Sequence, residues 1–310
     1  MRTIGTTGCA SWRAASTGRS WLNGRARGGR RKTRMAGTVP YLQALRVRED
    51  HVKCHEYPFS VPLIRTLNIE FNSPVTFFVG ENGTGKSTVI EAIAALCHLP
   101  VSGGGRNELS GNHGPDRTSP LAAALRPAFR RRPSDAYFLR AECQAHFASL
   151  LDERNADPDF RLWGDPYARY GGRSLHTRSH GEAFLAILRH RIHSGLLLFD
   201  EPESALSPQR QLSLLAHISS LVARGKSQFI VATHSPILLT IPGAQILSFD
   251  AEAVRQISLE ETTHYQITKG ILQNPEAYWK HLRETENTGG APPDKRLQPS
   301  GPRGLVRRRG

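Results

Sequence analysis

The chain has 310 residues, of which 38% are hydrophobic and 22% are charged, so it can bury the core of one large or two small domains. No apolar run approaches the about 20 residues of a membrane-spanning helix, so a membrane role would need a partner. The four cysteines are widely spaced and form no C-x-x-C pair. This pattern favours neither a disulfide framework nor a zinc knuckle, and it is typical of reduced thiols in a cytoplasmic protein.

The formal net charge of +14 is concentrated at the two ends of the chain. Residues 1–35 contain nine Lys or Arg and no acid, and residues 287–310 contain six with a single Asp, so the part between them is neutral. We predict disordered basic tails over 1–38 and 287–310 around a folded domain at 39–286. The tails could bind DNA without sequence preference. Residues 1–35 also fit a transit peptide or a start site assigned upstream of Met35.

Apolar runs and helical periodicity alternate along the domain. Strands are predicted over residues 41–47, 63–71, 75–79, 136–140, 196–199, 229–232, 245–250 and 253–259. Helices are predicted over residues 89–96, 121–131, 142–152, 179–192, 209–224, 261–272 and 275–284, and loops over 100–120 and 154–178. In the helix at 209–224, the apolar stripe is expected to contain Leu212, Leu215, Ile218 and Leu221. The alternation predicts an α/β fold with a mainly parallel sheet flanked by helices, after an N-terminal antiparallel β part.

The segment from Gly80 to Thr88 reads GENGTGKST and lies between an apolar strand and a helix. This context turns the G-x-x-x-x-G-K-[ST] pattern into a phosphate-binding loop. Gly83 and Gly85 let successive backbone N–H groups face an anion. Lys86 can reach the β- and γ-phosphates, and the hydroxyl of the next residue can ligate Mg2+. The predicted nucleotide-binding residues are Gly80, Glu81, Asn82, Gly83, Thr84, Gly85, Lys86, Ser87 and Thr88.

Two further apolar strands end in polar residues, Asp200-Glu201 and Thr233-His234. Ligands of open α/β sheets lie beyond the carboxyl ends of the strands, so these residues should converge with the phosphate loop. Asp200 would then hold Mg2+ together with Ser87. Glu201 would orient and deprotonate the attacking water, and His234 would contact the γ-phosphate.

The order of the motifs resembles that of ABC-type P-loop ATPases, and more narrowly the soluble RecF/SMC-like branch, often described as AAA-family ATPases. The segments that carry the resemblance are GENGTGKST, SHGE at 179–182, DEPESALSP at 200–208 and THSP at 233–236. The resemblance covers about residues 40–285. The chain departs from the transporter signature LSGGQ at Arg178 and His180, and from the usual SALD at Ser207.

In such ATPases two subunits pack head to tail and bury two ATP molecules. The resemblance implies that Ser179 and Gly181 of one subunit bind the ATP of the other, with residues 100–178 forming a small helical and loop region on the signature side. The pattern S-x-x-E at Ser179 is also a helix capping box, and both roles are compatible. Gln144, or else Glu142, would be the glutamine-loop residue.

The resemblance implies a soluble cytoplasmic ATPase that uses Mg2+ and ATP, works as an ATP-dependent homodimer and drives a conformational switch, in DNA repair or another process. The alternatives are an ATP-binding subunit of an ABC transporter and a nucleotide-gated binding module with little turnover. The 92 residues between Lys86 and Ser179 contain no heptads, so no coiled-coil arm of the SMC type is predicted there. Tyr57 or Phe59 would stack on the base or pack in the core.

Overall fold

The computed structural model describes residues 41–52, 55–106 and 119–287. The predicted N-terminal tail at 1–38 lies outside the described residues, as does the C-terminal tail after its first residue. Residues 107–118 of the loop predicted at 100–120 also lie outside them. The described part contains a large sheet of seven strands and a small sheet of three.

The large sheet carries the predicted parallel core. Its strands in spatial order are β10 (Arg255–Ile257), β9 (Gln245–Ser248), β3 (Val75–Val79), β8 (Ser227–Ala232), β7 (Gly195–Asp200), β6 (Ala136–Arg140) and β4 (Gly104–Gly105). The five central strands are parallel, whereas the two edge strands pair antiparallel. Every residue of β3, β7 and β8 is buried, as expected where helices cover both faces. The predicted α/β fold with a mainly parallel sheet is confirmed.

The small sheet is the antiparallel part predicted near the N-terminus, with the order β2 (Asn68–Glu70), β1 (Leu42–Val47), β5 (Leu125–Phe129). Its third strand corrects the prediction of one helix over 121–131, because the helix α3 (Pro120–Ala124) ends where β5 begins. Pro127 lies within β5 and lacks the N–H that a helix interior requires. It is tolerated here because β5 is an edge strand.

A second correction concerns residues 63–71, which were predicted as one strand. The structure divides them between the short helix α1 (Pro62–Arg65) and β2. Pro62 is at the first position of α1, where its fixed φ favours helix initiation.

The remaining helices are α2 (Lys86–Leu96), α4 (Gln144–Ala156), α5 (Pro158–Arg161), α6 (His180–Arg191), α7 (Pro208–Ala223), α8 (Thr263–Gln273) and α9 (Pro275–Asn287). Buried residues of α2, α4, α6 and α7 pack on the sheet in two core clusters. Adjacent residues of β3 belong to different clusters: Phe77 to the one with residues of α6 and α7, and Phe78 to the one with residues of α2 and the small sheet. No helix within the described ranges is both long and apolar enough to cross a bilayer.

The predicted stripe of α7 is confirmed in part: Ile218 and Leu221 are buried, but Leu212 is 59% exposed. Gln211 and Leu214 are buried in addition. The Gln211 amide donates to the Leu206 carbonyl at 3.1 Å and accepts from the Ser235 hydroxyl at 2.6 Å, so hydrogen bonds orient this helix as well as apolar contacts. Residues 154–178 were predicted as loop, but they include the end of α4 and all of α5.

Candidate nucleotide site

The glycine-rich segment follows β3 and forms the turn from which α2 begins at Lys86. Gly80 and Gly85 have φ of 147° and 98°, in the region that favours glycine. A Cβ on Gly85 would lie 3.0 Å from Ile64 Cδ1, and one on Gly80 would lie 3.0 Å from Asp250 Oδ1. The Asp250 carboxylate also accepts a hydrogen bond from the Glu81 N–H at 2.8 Å. The tight turn and the contacts around it therefore both require glycine.

Lys86 lies inside this turn, with 4% of its surface exposed. Its Nζ donates to the carbonyl oxygens of Gly80 at 2.7 Å and Glu81 at 2.8 Å. Burial lowers the pKa of Lys86, while the carboxylates of Glu201 and Asp250 act in the opposite direction. The ammonium group is thus held by two neutral carbonyls, surrounded by acidic side chains.

Ser87 and Asp200 meet across the sheet edge, where the Ser87 hydroxyl donates to Asp200 Oδ1 at 3.0 Å. Burial raises the pKa of Asp200 to about 6, against the effects of Arg140 and of the Ser87 hydrogen bond. A buried carboxylate beside a hydroxyl is an oxygen donor set that suits Mg2+. These two residues therefore fit the predicted metal site.

Arg140 is a site residue that the sequence reasoning missed. The register of β6 and β7 places it opposite Asp200, with its Nε 3.6 Å from Asp200 Oδ2. Its Nη1 also lies 2.8 Å from Glu91 Oε1, and its Nη2 pairs with Glu142. Its position at the end of a predicted strand was visible in the sequence, but its partner was not, because strand order is a tertiary property.

Glu201 follows β7 in a left-handed backbone conformation, with φ 48° and ψ 53°. This conformation costs a non-glycine residue on the order of 1 kcal/mol. The Glu201 N–H bonds to the Ala232 carbonyl at 3.0 Å, and the Glu201 carbonyl accepts from the Ser204 hydroxyl at 2.8 Å. The strained backbone leaves the carboxylate half-exposed, with Oε1 3.5 Å from His234 Nε2.

Glu203, a second residue that the sequence reasoning did not identify, holds the backbone at His234 by hydrogen bonds. The Glu203 carboxylate accepts the Thr233 hydroxyl at 2.8 Å and the His234 N–H at 2.5 Å. Burial raises the pKa of Glu203 and lowers that of His234. Within the described residues, His234 Nε2 is buried and has no hydrogen-bond partner.

The predicted signature segment begins α6. Ser179 is the N-cap and forms the predicted capping box with Glu182, which accepts the Ser179 N–H at 3.0 Å. Arg210 of α7 donates to Ser179 Oγ at 3.2 Å, and its Nη2 lies 3.6 Å from Glu182 Oε1. A Cβ on Gly181 would lie 2.4 Å from Arg210 Nη1 and 2.9 Å from the Ala205 carbonyl. Ser179 and Gly181 therefore contact α7 and the turn before it, whereas the phosphate loop contacts the ends of β7 and β9.

The two candidates for the glutamine-loop residue differ in burial, and so do the two aromatic residues considered for stacking on the base. Gln144 is 4% exposed and both its amide atoms lack a partner among the described residues, whereas Glu142 is exposed and pairs with Arg140. Phe59 is part of the core, while Tyr57 is 66% exposed and its hydroxyl lies 2.7 Å from Thr88 Oγ1.

Two segments of the chain match models of protein families. Residues 52–120 match a model described as "AAA domain", and residues 183–240 match one described as "AAA domain, putative AbiEii toxin, Type IV TA system". The first segment contains the phosphate loop, and the second contains Asp200, Glu201 and His234. These two matches confirm the predicted resemblance to AAA-domain proteins, while the narrower resemblance to the ABC type stays a prediction. Nucleotide binding is the coarse function that these families support.

Solved structures of similar fold include ATP-binding cassettes and SMC heads. CbiO1 of Clostridium perfringens, part of an ABC transporter complex, is 16% identical over 78% of this chain and 99% of its own, with a TM-score of 0.42. The Thermotoga maritima SMC head domain is 15% identical over 70% of this chain and 98% of its own, with a TM-score of 0.36. An ABC transporter cassette in its ADP conformation is 15% identical over 79% of this chain and 99% of its own, with a TM-score of 0.43. No curated protein matches the chain.

Proposed function

We propose that this protein binds ATP and Mg2+ at the carboxyl edge of the large sheet and hydrolyses the ATP. The observation that supports this most directly is the meeting of three neighbouring strand ends. The phosphate loop follows β3, His234 follows β8, and Asp200 and Glu201 close β7. The Ser87–Asp200 hydrogen bond and the Glu201–His234 contact join these ends.

The phosphate loop would bind the nucleotide phosphates through its backbone N–H groups and the N-terminus of α2. Lys86 would exchange its bonds to the Gly80 and Glu81 carbonyls for bonds to phosphate oxygens. Ser87 and Asp200 would hold Mg2+, which when bound neutralises charge on the phosphate oxygens. Tyr57 is exposed beside Thr88, and we assign it to stacking on the adenine base of ATP.

Glu201 is the general base in this proposal. Its carboxylate would accept a proton from water as the water oxygen attacks the γ-phosphorus and the bond to the ADP oxygen breaks. The Glu201 carboxylate is half-exposed, so water can reach it. His234 Nε2, which lacks a partner among the described residues, would donate to the γ-phosphate.

A second copy of the chain would complete the site with its signature segment. Ser179 Oγ accepts from Arg210, so its hydroxyl proton stays free to donate to a phosphate oxygen. Gly181 and the N-terminus of α6 add a partial positive charge, and the Arg210 guanidinium adds a full one. We therefore propose an ATP-dependent homodimer in which this group of residues faces the partner's ATP.

The test compares ATP turnover and molecular mass for the full chain, Glu201→Gln and the exposed control Glu260→Gln. We expect Glu201→Gln to bind ATP, to lose turnover by on the order of 100-fold or more, and to accumulate as a dimer in light scattering. The control should match the wild type. ATP binding without turnover in the wild type would instead favour a nucleotide-gated binding module. Stimulation by double-stranded DNA would favour a DNA-linked process, and a co-purifying membrane protein would favour a transporter subunit.

A further inference from the structure

A second imidazole lies against the candidate γ-phosphate contact. His264 is the second residue of α8, and its Nε2 lies 2.8 Å from His234 Nδ1. The ring centroids are 4.8 Å apart, with an interplanar angle of 66°. His264 belongs to none of the motifs from which the site was predicted, and it comes 30 residues after its partner.

The proton in this hydrogen bond can be assigned from its surroundings. Two imidazole nitrogens need one donor and one acceptor between them. If a neutral His234 donated from Nδ1, its Nε2 lone pair would face the Glu201 carboxylate at 3.5 Å, which is repulsive. If His264 donates from Nε2, His234 carries its proton on Nε2, and the contact with Glu201 becomes attractive.

Burial and charge favour the neutral form of both imidazoles, which this assignment assumes. Burial is the largest cause lowering the pKa of both histidines, and the nearby Lys86 ammonium also lowers both. The neutral forms are thereby favoured, so a single proton lies in the hydrogen bond between the two rings. The carboxylates that face it are those of Glu81, Glu201 and Asp250.

We propose that His264 is a positioning residue that holds His234 in its Nε2–H tautomer and presents that N–H to the γ-phosphate of ATP. The role in hydrolysis rests on the proposed function, whereas the tautomer itself does not. In histidine sites generally, the bond made by one ring nitrogen decides which proton the other carries.

The start of α8 is built to hold His264 in place. Thr262, 2% exposed, is the N-cap: its hydroxyl donates to the Leu259 carbonyl at 2.8 Å and accepts from the Tyr265 N–H at 3.4 Å. A capping box of Ser258 and Glu261 immediately precedes it. The backbone that carries His264 is therefore fixed by the Thr262 cap of α8 and by the capped turn before it.

The test uses the full chain with 15N-labelled histidine and the variants His264→Gln, His264→Leu and His264→Asn. The Gln amide nitrogen can replace the imidazole Nε2–H as donor, Leu cannot donate, and Asn is one methylene too short. The His234 signals are identified by their loss in His234→Gln. In nucleotide-free protein, we expect the Nε2–H tautomer in the wild type and His264→Gln, and a mixture in the other two variants.

The rate of ATP turnover should depend on which tautomer His234 adopts. We expect His264→Gln to stay within about threefold of the wild-type kcat, and His264→Leu and His264→Asn to fall on the order of tenfold, with ATP affinity nearly unchanged. The Asn variant keeps the test valid if the Leu variant does not fold. A wild-type His234 protonated on Nδ1 overturns the proposal, as does an unchanged tautomer in both donor-deficient variants. If the wild type shows no turnover, the proposed function fails, and the tautomer comparison still decides the role of His264.

Discussion

Replacing Asp200 by Asn should stabilise the nucleotide-free, metal-free protein at neutral pH while it abolishes Mg2+-dependent turnover. Burial raises the pKa of Asp200 from 3.8 to about 6. Because the folded-state pKa lies above the unfolded one, the stability from the protonated carboxyl is present below about pH 4 and is lost as the pH rises through about 6. A difference of about two pKa units corresponds to about 3 kcal/mol of unfolding free energy above that range.

The net gain should be smaller than this limit, because Asn keeps some contacts and loses others. Its amide oxygen can still accept the Ser87 hydroxyl, and its volume is nearly the same. The charge contact with Arg140 is lost, although that guanidinium stays paired with Glu91 and Glu142. We expect Asp200→Asn to raise the unfolding free energy by about 1 to 3 kcal/mol at pH 7.5.

The assay is urea unfolding in EDTA at pH 7.5, 5.5 and 4, with Asp159→Asn as the exposed control. The gain should shrink toward zero at pH 4, and the control should change stability by less than about 0.5 kcal/mol. A variant no more stable than the wild type at pH 7.5, or one whose gain does not depend on pH, would contradict a destabilising charge at Asp200. The first result would mean that Arg140 already compensates the buried charge, and the second that the gain does not come from the ionisation of Asp200.

The remaining predictions concern the other parts of the site. Arg140→Leu should raise the pKa of Asp200 further. In Mg2+ titrations of turnover, the apparent affinity for Mg2+ should fall on the order of tenfold at pH 6.5 but less at pH 8.5, and an equal loss at both pH values would contradict this. Gly181→Ala should suppress the ATP-dependent dimer in light scattering, because its methyl group would collide with Arg210, while ATP binding to the monomer stays within about twofold; a normal dimer would count against the signature role. Lys86→Ala should weaken ATP binding in calorimetry by on the order of 100-fold, and unchanged affinity would show that the loop does not bind phosphate.

The phosphate loop could be predicted because its conformation depends on nine consecutive residues and their immediate neighbours. Gly85 adopts the positive φ that the pattern requires, and α2 begins at Lys86, directly after it. The capping box at Ser179 is equally local, and its hydrogen bonds join residues three apart. Each of these features forms from short-range geometry, so one strand and one helix of context were sufficient.

Predictions failed where a long-range partner decided the local structure. Residues 125–129 form β5 because β1 pairs with them, so the helix predicted at 121–131 ends early. The α7 helix was predicted with the right length and with Ile218 and Leu221 on its buried face, but that face also contains the hydrogen-bonded amide of Gln211, and Leu212 is exposed. Hydrophobic periodicity predicts a buried face from apolar residues alone, so it misses a polar side chain that is buried because it is hydrogen-bonded.

Local sequence patterns were enough to predict the parallel α/β fold, the glycine-rich loop, and the kinds of side chain that end β7 and β8. Contacts between distant segments set which polar groups face one another: Arg140 with Asp200, Glu203 with Thr233, and His264 with His234. The physical reason is that a pKa and a tautomer depend on burial and on distances of a few ångströms, whereas a motif specifies only residue types and spacing. Strand order and the capped start of α8 set those distances between segments far apart in the chain.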